Sequence, residues 1–198
     1  MKSVFLDIDT QIDFMIPAGA LYVSGAELIL DRIAILNRYA ASQGIPVLST
    51  TDAHSEDDPE FKVWPHHCVA GTVGQNKCAV TLLDKGVVVP NVTMDAKCVP
   101  AVADFQQIIV EKQTIDAFSN VNLPAILKEL DAHRYVVYGV VTEICVQTAV
   151  AGLLKTGARI EVVTDAVRSL SGRAGAKALA EFAAAGCALT TVAQVTLD

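Results

Sequence analysis

Gly139-Val-Val-Thr-Glu-Ile-Cys-Val-Gln-Thr-Ala149 is the stretch around which the rest of the sequence is organised. It follows Tyr135-Val-Val-Tyr138, a short β-rich run, and it leads into residues 146–154, whose pattern is that of a helix. We therefore predict a buried strand that turns sharply into a helix. Such a turn places Cys145 in the first turn of the helix, and we expect Thr142 to be the N-cap residue.

The first turn of a helix suits a nucleophilic cysteine. Unpaired backbone N–H groups and the positive end of the helix dipole favour thiolate over thiol, and they can lower the pKa of Cys145 below the free value of about 8.5. The same N–H groups can bind the oxyanion that forms when a thiolate attacks a carbonyl. A free cysteine is more often a small buried hydrophobe, so this stretch alone does not establish a nucleophile.

Strand-like and helix-like segments alternate along the rest of the chain. The predicted strands are 4–8, 45–49, 87–89, 108–110, 135–141, 160–163 and 188–192, and the predicted helices are 25–42, 123–131, 145–155 and 173–185. This alternation indicates parallel βαβ units with right-handed crossovers. We expect an α/β fold with a doubly wound, mostly parallel sheet and helices on both faces. No linker is visible, so we predict a single domain over residues 1–198.

The composition excludes several classes of function. Hydrophobic residues make up 52% and charged residues 19% of the 198 residues, which is typical of a folded globular chain. The net charge of −7 argues against non-specific binding to nucleic acid or to an anionic membrane. No apolar run is long enough to span a bilayer, and the N-terminus lacks the pattern of an export signal.

The five cysteines indicate a reduced compartment. Their number is odd and none forms a Cys-x-x-Cys pair, so we expect a cytoplasmic protein. We expect purely structural roles for Cys68, Cys78, Cys98 and Cys187.

Polar residues follow the predicted strands at the point where each strand ends. Asp9 follows the first strand, Asp52 and His54 follow the second, Lys112 follows a later one, and Cys145 follows the strand quoted above. In open parallel sheets the carboxyl ends of the strands face the ligand-binding crevice. We therefore expect an acid, two potential metal ligands, a lysine and a cysteine to meet at one edge of the sheet.

The loop after the second strand carries potential metal ligands. Asp52 and His54 are two residues apart in extended chain and point the same way, and His67 in Trp64-Pro-His-His67 could complete a site. Two histidines and a carboxylate commonly bind Zn²⁺, Fe²⁺ or Mn²⁺. The alternative is a hydrogen-bonded Asp–His pair with a solvated histidine. His66 competes with His67, and possible fourth ligands are Asp57, Asp58 and Glu60.

A phosphotransferase of the haloacid dehalogenase type is a rival interpretation of the first strand. Leu6-Asp-Ile-Asp-Thr10 nearly matches its Asp-x-Asp motif, and Ser49-Thr50 resembles its hydroxyl motif. That chemistry also needs a later acidic pair, whereas the only later strand-end acid is Asp165. The rival also leaves Cys145 and the histidine loop unexplained.

Taken together, the motifs resemble those of the isochorismatase-like cysteine hydrolases, and within that family most closely the nicotinamidases. Asp9-Thr-Gln-Ile-Asp-Phe14 matches the family's Asp-x-Gln-x-Asp-Phe, and Thr51-Asp-Ala-His54 with residues 64–74 matches the metal-binding loop of nicotinamidases. Val110-Glu-Lys112 resembles the segment with the catalytic lysine. Gly139 to Cys145 resembles the nucleophile turn. The four motifs agree with the family in order and spacing.

The resemblance implies the family's fold and a catalytic triad of Asp9, Lys112 and Cys145. Asp9 would be the acid/base and Cys145 the nucleophile, with the backbone N–H groups of Val141 and Cys145 as the oxyanion hole. It also implies a cis peptide bond between Val140 and Val141.

The resemblance further implies one divalent metal ion, zinc or else iron or manganese, bound by Asp52, His54 and His67. Glu60 is nearest to the expected place of a fourth ligand. Phe14, Trp64 and Phe118 would wall the ring of the substrate. Members of the family often form dimers or tetramers, so we expect a homo-oligomer.

The reaction implied is the hydrolysis of nicotinamide to nicotinate and ammonia through a thioester, a step of pyridine nucleotide salvage in NAD metabolism. Two alternatives remain open. One is a related amidohydrolase acting on another small amide, such as a carbamoyl or ureido compound, in which the loop histidines are incidental. The other is a small-molecule binder on the same fold without catalytic activity.

Overall fold

A seven-stranded sheet forms the centre of the molecule in the computed structural model, which describes residues 2–94 and 101–197. All its strands run parallel, in the order β3-β4-β2-β1-β5-β6-β7. The strands are β1 (Ser3–Ile8), β2 (Val47–Asp52), β3 (Gly86–Val89), β4 (Gln107–Lys112), β5 (Arg134–Val140), β6 (Arg159–Arg168) and β7 (Ala188–Thr190). The prediction of an α/β fold with a parallel sheet is confirmed.

Six α-helices accompany the sheet in the described part of the chain. They are α1 (Ile12–Met15), α2 (Leu30–Ser42), α3 (Leu123–Leu130), α4 (Gln147–Leu154), α5 (Gly172–Ala184) and α6 (Val192–Leu197). The predicted helix over residues 25–42 begins as a 3₁₀ turn, Ala26–Ile29, before α2. Right-handed crossovers that leave the centre of the sheet in opposite directions put α2 and α4 on opposite faces.

The three central strands are buried along nearly their whole length. In β1 only Ser3 is partly exposed, β5 is buried from Tyr135 onward, and every residue of β2 is buried. Helices therefore cover both faces, which explains why these strands show apolar runs without polar alternation. No helix in the described residues is both long enough and apolar enough to cross a bilayer.

The chain leaves the two central strands in opposite directions. From β1 it passes to β2 on one side, and from β5 it passes to β6 on the other, so the crevice between β1 and β5 is the topological switch point of the sheet. Gly139 near the end of β5 has φ +115°, and a Cβ at this residue would lie 2.1 Å from the carbonyl oxygen of Ile8. Only glycine allows β5 to approach β1 so closely just before the nucleophile turn.

The largest differences from the predictions concern two helices and one strand, while the bounds of other elements, such as β2, β4 and β7, differ by one to three residues. Four-residue α1 and six-residue α6 are too short to give a periodic signal, and neither was predicted. β6 extends five residues beyond the predicted end at Val163, and its register against β5 shifts between Val137 and Gly139. The prediction of one domain over residues 1–198 stays a prediction.

Candidate active site

The predicted nucleophile, Cys145, lies in a π-helical turn, Thr142–Val146, between β5 and α4. The peptide bond between Val140 and Val141 is cis, as the resemblance implied. The prediction of Thr142 as N-cap is wrong, because Val141 is the last residue with extended dihedral angles and Thr142 already lies inside the turn. The hydroxyl of Thr142 is buried without a hydrogen-bond partner in the described structure.

Asp9, Lys112 and Cys145 meet at the carboxyl ends of three strands. Lys112 Nζ lies 2.9 Å from Asp9 Oδ2 and 3.9 Å from Cys145 Sγ. Thr50 on β2 donates a 2.6 Å hydrogen bond from its hydroxyl to Asp9 Oδ1. Asp9 and Lys112 are each 1% exposed and Cys145 is 8% exposed, so the three groups interact away from bulk water.

The backbone at Asp9 is in the left-handed region, with φ +50°. A non-glycine residue in this region is uncommon, and such strain persists only where the surroundings hold it. Here the Asp9 backbone N–H donates to Thr50 O and its carbonyl accepts from Gln11 N. These bonds aim the Asp9 side chain towards Lys112 rather than along the strand.

Burial and neighbouring charges compete in setting the ionisation of the three groups. It raises the pKa of Asp9, while the Lys112 charge and the Thr50 hydroxyl act in the opposite direction. Burial alone would lower the pKa of Lys112, but the carboxylates of Asp52 and Asp9 hold that pKa well above its usual value. Lys112 is therefore a permanent cation between two acids.

Burial raises the pKa of the Cys145 thiol well above its usual value, although the Lys112 charge lowers it. The expectation of a pKa lowered by the helix terminus is therefore wrong for this protein. The cost of desolvating a thiolate, together with the negative charges of Asp9 and Asp52, outweighs the charge of Lys112. Asp9 and the Cys145 sulfur contact the same Lys112 Nζ, so Asp9 is the carboxylate beside the thiol.

A second group, Asp52, His54 and His67, adjoins the first. It is the one cluster of potential metal ligands in the described part of the chain, and its ligand atoms all lie within 4.8 Å of one another. The Nε2 atoms of both histidines are 3.7 Å from Asp52 Oδ2. The other oxygen of Asp52 contacts Lys112, which thereby joins the two groups.

Local backbone pairing brings the two histidines together. His54 N donates to Cys68 O at 3.1 Å and His54 O accepts from Ala70 N at 2.8 Å, so the segment with His67 runs beside His54 as a short bridge. Asp13 fixes this segment, because its Oδ2 accepts from Cys68 N at 2.7 Å. His67 Nδ1 lies 2.7 Å from Pro65 O, which leaves Nε2 for the centre of the cluster.

The cluster has the properties of a divalent metal site. Burial works against ionisation of Asp52, but Lys112, His54 and His67 together hold its pKa below the ordinary range, so it is a carboxylate. His54 is fully buried, and neither of its ring nitrogens has a well-aligned hydrogen bond in the described structure. At 3.7 Å the Nε2 atoms are too far from Asp52 for hydrogen bonds. Two imidazoles and a carboxylate converging in this way fit Zn²⁺, Fe²⁺ or Mn²⁺.

A largely apolar cavity opens onto both groups. It encloses about 400 Å³, open solvent at its mouth included. The lining residues are Phe14, Leu21, Val23, Asp52, Glu60, Trp64, His67, Ile115, Val141, Ile144, Cys145 and Leu170. An apolar pocket with a few convergent polar groups is the usual form of a site for a small organic ligand.

The predicted substrate-binding residues and the candidate fourth metal ligand are only partly brought together at the cavity. Phe14 and Trp64 line the cavity, whereas Phe118 is absent from its lining and packs against Gly152 of α4. Glu60 also lines the cavity but lies outside the cluster of Asp52 and the two histidines. Its role as a fourth ligand stays a prediction.

The other candidate metal ligands of the histidine loop lie outside the cluster of Asp52, His54 and His67. His66 stacks on Phe61, with 4.2 Å between the ring centroids. Asp57 is exposed, and Asp58 lies behind His54. Of the other cysteines, Cys68, Cys78 and Cys187 are buried free thiols, and Cys98 lies outside the described residues.

Two functional residues were missed by the sequence analysis. Gln11 is fully buried, and its side-chain amide bonds both the N–H and the carbonyl of Asp52, at 2.7 and 2.8 Å. Thr50 supports Asp9 from β2. Gln11 belongs to the Asp9-Thr-Gln-Ile-Asp-Phe14 motif, which could have indicated its role. Thr50 is two residues before Asp52 on the same face of its strand, and this spacing could have indicated that it points to the site.

Comparison with known proteins agrees with this geometry. The model of the isochorismatase domain family matches residues 3–194. The curated nicotinamidase of Escherichia coli is 25% identical over 94% of this chain and 93% of its own length. The crystal structure of a nicotinamidase from Bacillus subtilis is 25% identical, with a TM-score of 0.79 over 96% of this chain and 99% of that one.

A second similar structure is a pyrazinamidase of Pyrococcus horikoshii, solved in complex with zinc. It is 24% identical and superposes with a TM-score of 0.79, covering 96% of this chain and 99% of that chain. At this identity the likeness shows the fold alone. With the domain match over nearly the whole length, the chain belongs to the isochorismatase family and is a hydrolase acting on amide carbon–nitrogen bonds.

Proposed function

We propose that the protein hydrolyses nicotinamide to nicotinate and ammonia, with Cys145 as the nucleophile. The observation that carries the proposal is the contact of Lys112 Nζ with both Asp9 Oδ2, at 2.9 Å, and Cys145 Sγ, at 3.9 Å, beside a cavity that also holds Asp52 and His67. The similarity to the nicotinamidase of E. coli supports the choice of substrate.

In the first step Asp9 accepts the proton of the Cys145 thiol. A carboxylate whose pKa is raised by burial is a stronger base than a solvated one, and so it can take a proton from a thiol of high pKa. The charge of Lys112 stabilises the thiolate as it forms. The sulfur then attacks the carboxamide carbon, and the negative charge moves to the amide oxygen.

The tetrahedral oxyanion is held by the backbone N–H groups of Val141 and Cys145 in the nucleophile turn. When it collapses, the carbon–nitrogen bond breaks and Asp9 gives its proton to the leaving ammonia. A water molecule then loses a proton to Asp9 and attacks the thioester carbon. The carbon–sulfur bond breaks, the proton returns from Asp9 to Cys145, and nicotinic acid leaves and ionises to nicotinate, its proton passing through solvent to ammonia.

Asp52, His54 and His67 would hold one divalent metal, for which their donor set and the buried nitrogens of His54 are suited. When bound there, a Zn²⁺, Fe²⁺ or Mn²⁺ ion would bind the pyridine nitrogen and so fix the orientation of the ring. The zinc complex of the P. horikoshii pyrazinamidase supports this assignment. Phe14 and Trp64 would contact the faces of the ring.

We place this reaction in the cytoplasm, as a step of pyridine nucleotide salvage, and we propose that the chain works as a homo-oligomer. The odd number of cysteines and the buried free thiols support a reducing compartment. Size-exclusion chromatography with light scattering would determine the oligomeric state.

Ammonia release from nicotinamide by the purified protein tests the proposed function. Cys145→Ala and a sample treated with EDTA are the controls, and we expect both to lose activity. If the wild type releases no ammonia from nicotinamide even with added Zn²⁺, Mn²⁺ or Fe²⁺, the substrate is wrong. Carbamoyl and ureido compounds would then be tested with the same two controls.

A further inference from the structure

We propose that Asp58 is a positioning residue for His54: its carboxylate holds the imidazole with the proton on Nδ1, so that an unprotonated Nε2 faces Asp52 and His67. The inference rests on the metal site of the proposed function, and it concerns a residue outside the predicted ligand set. Asp58 would not touch the metal. It would decide which nitrogen of His54 is free to bind one.

The geometry around His54 is the first part of the argument. Asp58 Oδ2 lies 3.0 Å from His54 Nδ1, within hydrogen-bonding distance although the N–H direction is bent away from the oxygen. The opposite nitrogen, Nε2, faces Asp52 Oδ2 at 3.7 Å. The ring therefore has an acceptor on one side and the metal cluster on the other.

His67 shows the same arrangement with a different acceptor. Its Nδ1 lies 2.7 Å from the carbonyl oxygen of Pro65, and its Nε2 is also 3.7 Å from Asp52 Oδ2. Carbonyl and carboxylate oxygens can only accept hydrogen bonds, so each selects the tautomer with a proton on Nδ1. Both histidines thus present an unprotonated Nε2 to one point, which is how a neutral imidazole binds a metal.

Asp58 is placed as a support and not as a surface acid. It is 8% exposed, and no lysine or arginine pairs with it in the part of the chain that the structure describes. Its second oxygen, Oδ1, accepts a 2.9 Å hydrogen bond from Glu60 N and caps the 3₁₀ turn Pro59–Lys62. The backbone thereby fixes the carboxylate while the other oxygen is directed at His54.

Packing holds the His54 ring in place but does not select its tautomer. The His54 side chain is fully buried, with the rings of Phe61 and His67 at centroid distances of 5.2 and 4.8 Å. These contacts restrict rotation of the ring but do not select a tautomer. That choice is left to the acceptor nearest to Nδ1, which is the Asp58 carboxylate.

The test is the affinity of the full-length protein for Zn²⁺, measured by competition with a chelator after EDTA treatment and dialysis. Asp58→Ser keeps a side-chain oxygen for Glu60 N but is too short to reach His54. We expect it to bind Zn²⁺ about 10- to 100-fold more weakly, the usual effect of losing such a support. Asp58→Asn has only one acceptor oxygen for two donors, and we expect it to weaken binding as well.

The matched control is Asp57→Asn, which changes the same charge at the exposed neighbouring residue. We expect its zinc affinity to equal that of the wild type. Nitrogen-15 NMR of the His54 ring adds a readout that a merely structural role would not change. We expect a proton on Nδ1 of His54 in the wild type and a change of tautomer in Asp58→Ser. The thermal unfolding temperatures of the two EDTA-treated proteins should be equal, which would show that the variant is folded.

Wild-type zinc affinity in Asp58→Ser, with an unchanged His54 tautomer, would overturn the inference. Absence of zinc binding by the wild type would overturn it together with the metal site. A loss of affinity in Asp58→Ser in a protein that releases no ammonia from nicotinamide would support the inference and reject the substrate. The two proposals can therefore fail separately.

Discussion

Two buried aspartate–lysine pairs start from the same strand and have opposite surroundings. Asp7 in β1 pairs with Lys77 at 3.0 Å, and Asp9 just after β1 pairs with Lys112 at 2.9 Å. All four side chains are at most 2% exposed. Burial and the distance between the paired charges are therefore nearly the same, and the surroundings of each pair must account for any difference in role.

The Asp7 pair lies in a saturated network. Asp7 accepts hydrogen bonds from Thr10 and Asn37, each at 2.9 Å, and Lys77 also donates to Thr10 at 2.6 Å. Tyr138 in turn donates to Asn37 Oδ1. None of these groups is among the buried polar atoms without a partner in the described structure. A network satisfied in this way stabilises one arrangement and has no capacity left for a ligand.

The pair of Asp9 and Lys112, by contrast, has incomplete hydrogen bonding and lies beside a cavity. Asp9 Oδ2 has the ion-pair contact with Lys112 but no well-aligned hydrogen bond, and the Cys145 sulfur beside it lines a cavity. Lys112 is shared between Asp9 and Asp52. In the proposed mechanism the reactive ion pair is thus the one whose hydrogen bonding is incomplete and which lies next to space for a substrate.

Exchanging each lysine for methionine is the strongest test of this comparison. In Lys112→Met we expect kcat to fall by about 10²- to 10³-fold or more, because the positive charge that supports Asp9 and the thiolate is lost. In Lys77→Met we expect an unchanged kcat for each folded molecule. Stopped assays of ammonia release, corrected for folded protein by circular dichroism, give both values. A comparable loss of kcat in Lys77→Met would end the distinction.

Lys77 should contribute to stability although it does not contribute to kcat. Lys77→Met leaves Asp7 buried without its counter-charge, and we expect unfolding free energy to fall by about 3–5 kcal/mol. Urea unfolding measures this loss. Adding Asp7→Asn should recover part of it, because the buried charge is then removed. If Lys77→Met loses less than about 1 kcal/mol of unfolding free energy, which is the usual effect of removing an exposed ion pair, the network does not stabilise the fold as described.

The pH dependence of activity gives the smallest and most specific effect. Asp9 must be ionised to accept the thiol proton, and its pKa is raised by burial, so kcat/KM should fall as the pH falls through that pKa. Thr50→Val removes a hydrogen bond that lowers this pKa, so the acid limb should move to higher pH. A hydrogen bond to a charged group contributes about 1.5–3 kcal/mol, which corresponds to a shift of about 1–2 pH units.

Thr81→Val is the matched control for Thr50→Val. Thr81 is fully buried and its hydroxyl lies 3.1 Å from that of Thr10, inside the saturated network. We expect the acid limb of kcat/KM to keep its position in this variant. Movement of the limb in both variants would mean that it reports general loosening and not the ionisation of Asp9.

Much of the site could be predicted because parallel strands end at a common edge. Asp9, Asp52, Lys112 and Cys145 each follow or end an apolar run, and the sheet order β4-β2-β1-β5 brings those ends together. The cis bond before Val141 and the cluster of two histidines with Asp52 followed from the resemblance.

What could not be predicted depends on burial and on loop packing. The Cys145 pKa follows from desolvation, which the sequence of the turn does not reveal. Phe118 lies in a short 3₁₀ turn, Ala117–Ser119, and only the structure places it on Gly152. Asp58 and Glu60 are both acids of one polar loop, and nothing in the sequence separates the residue behind His54 from the residue at the cavity wall.

The sharing of Lys112 has a consequence for protein design. Because this side chain contacts Asp9, Asp52 and Cys145, moving only the three proposed catalytic residues to a new scaffold would leave the lysine without its second carboxylate. The smallest portable unit is therefore four residues at or just beyond the carboxyl ends of four neighbouring strands, β4, β2, β1 and β5. A scaffold that offers fewer than four adjacent parallel strands in matched register cannot carry it, however well its pocket is shaped.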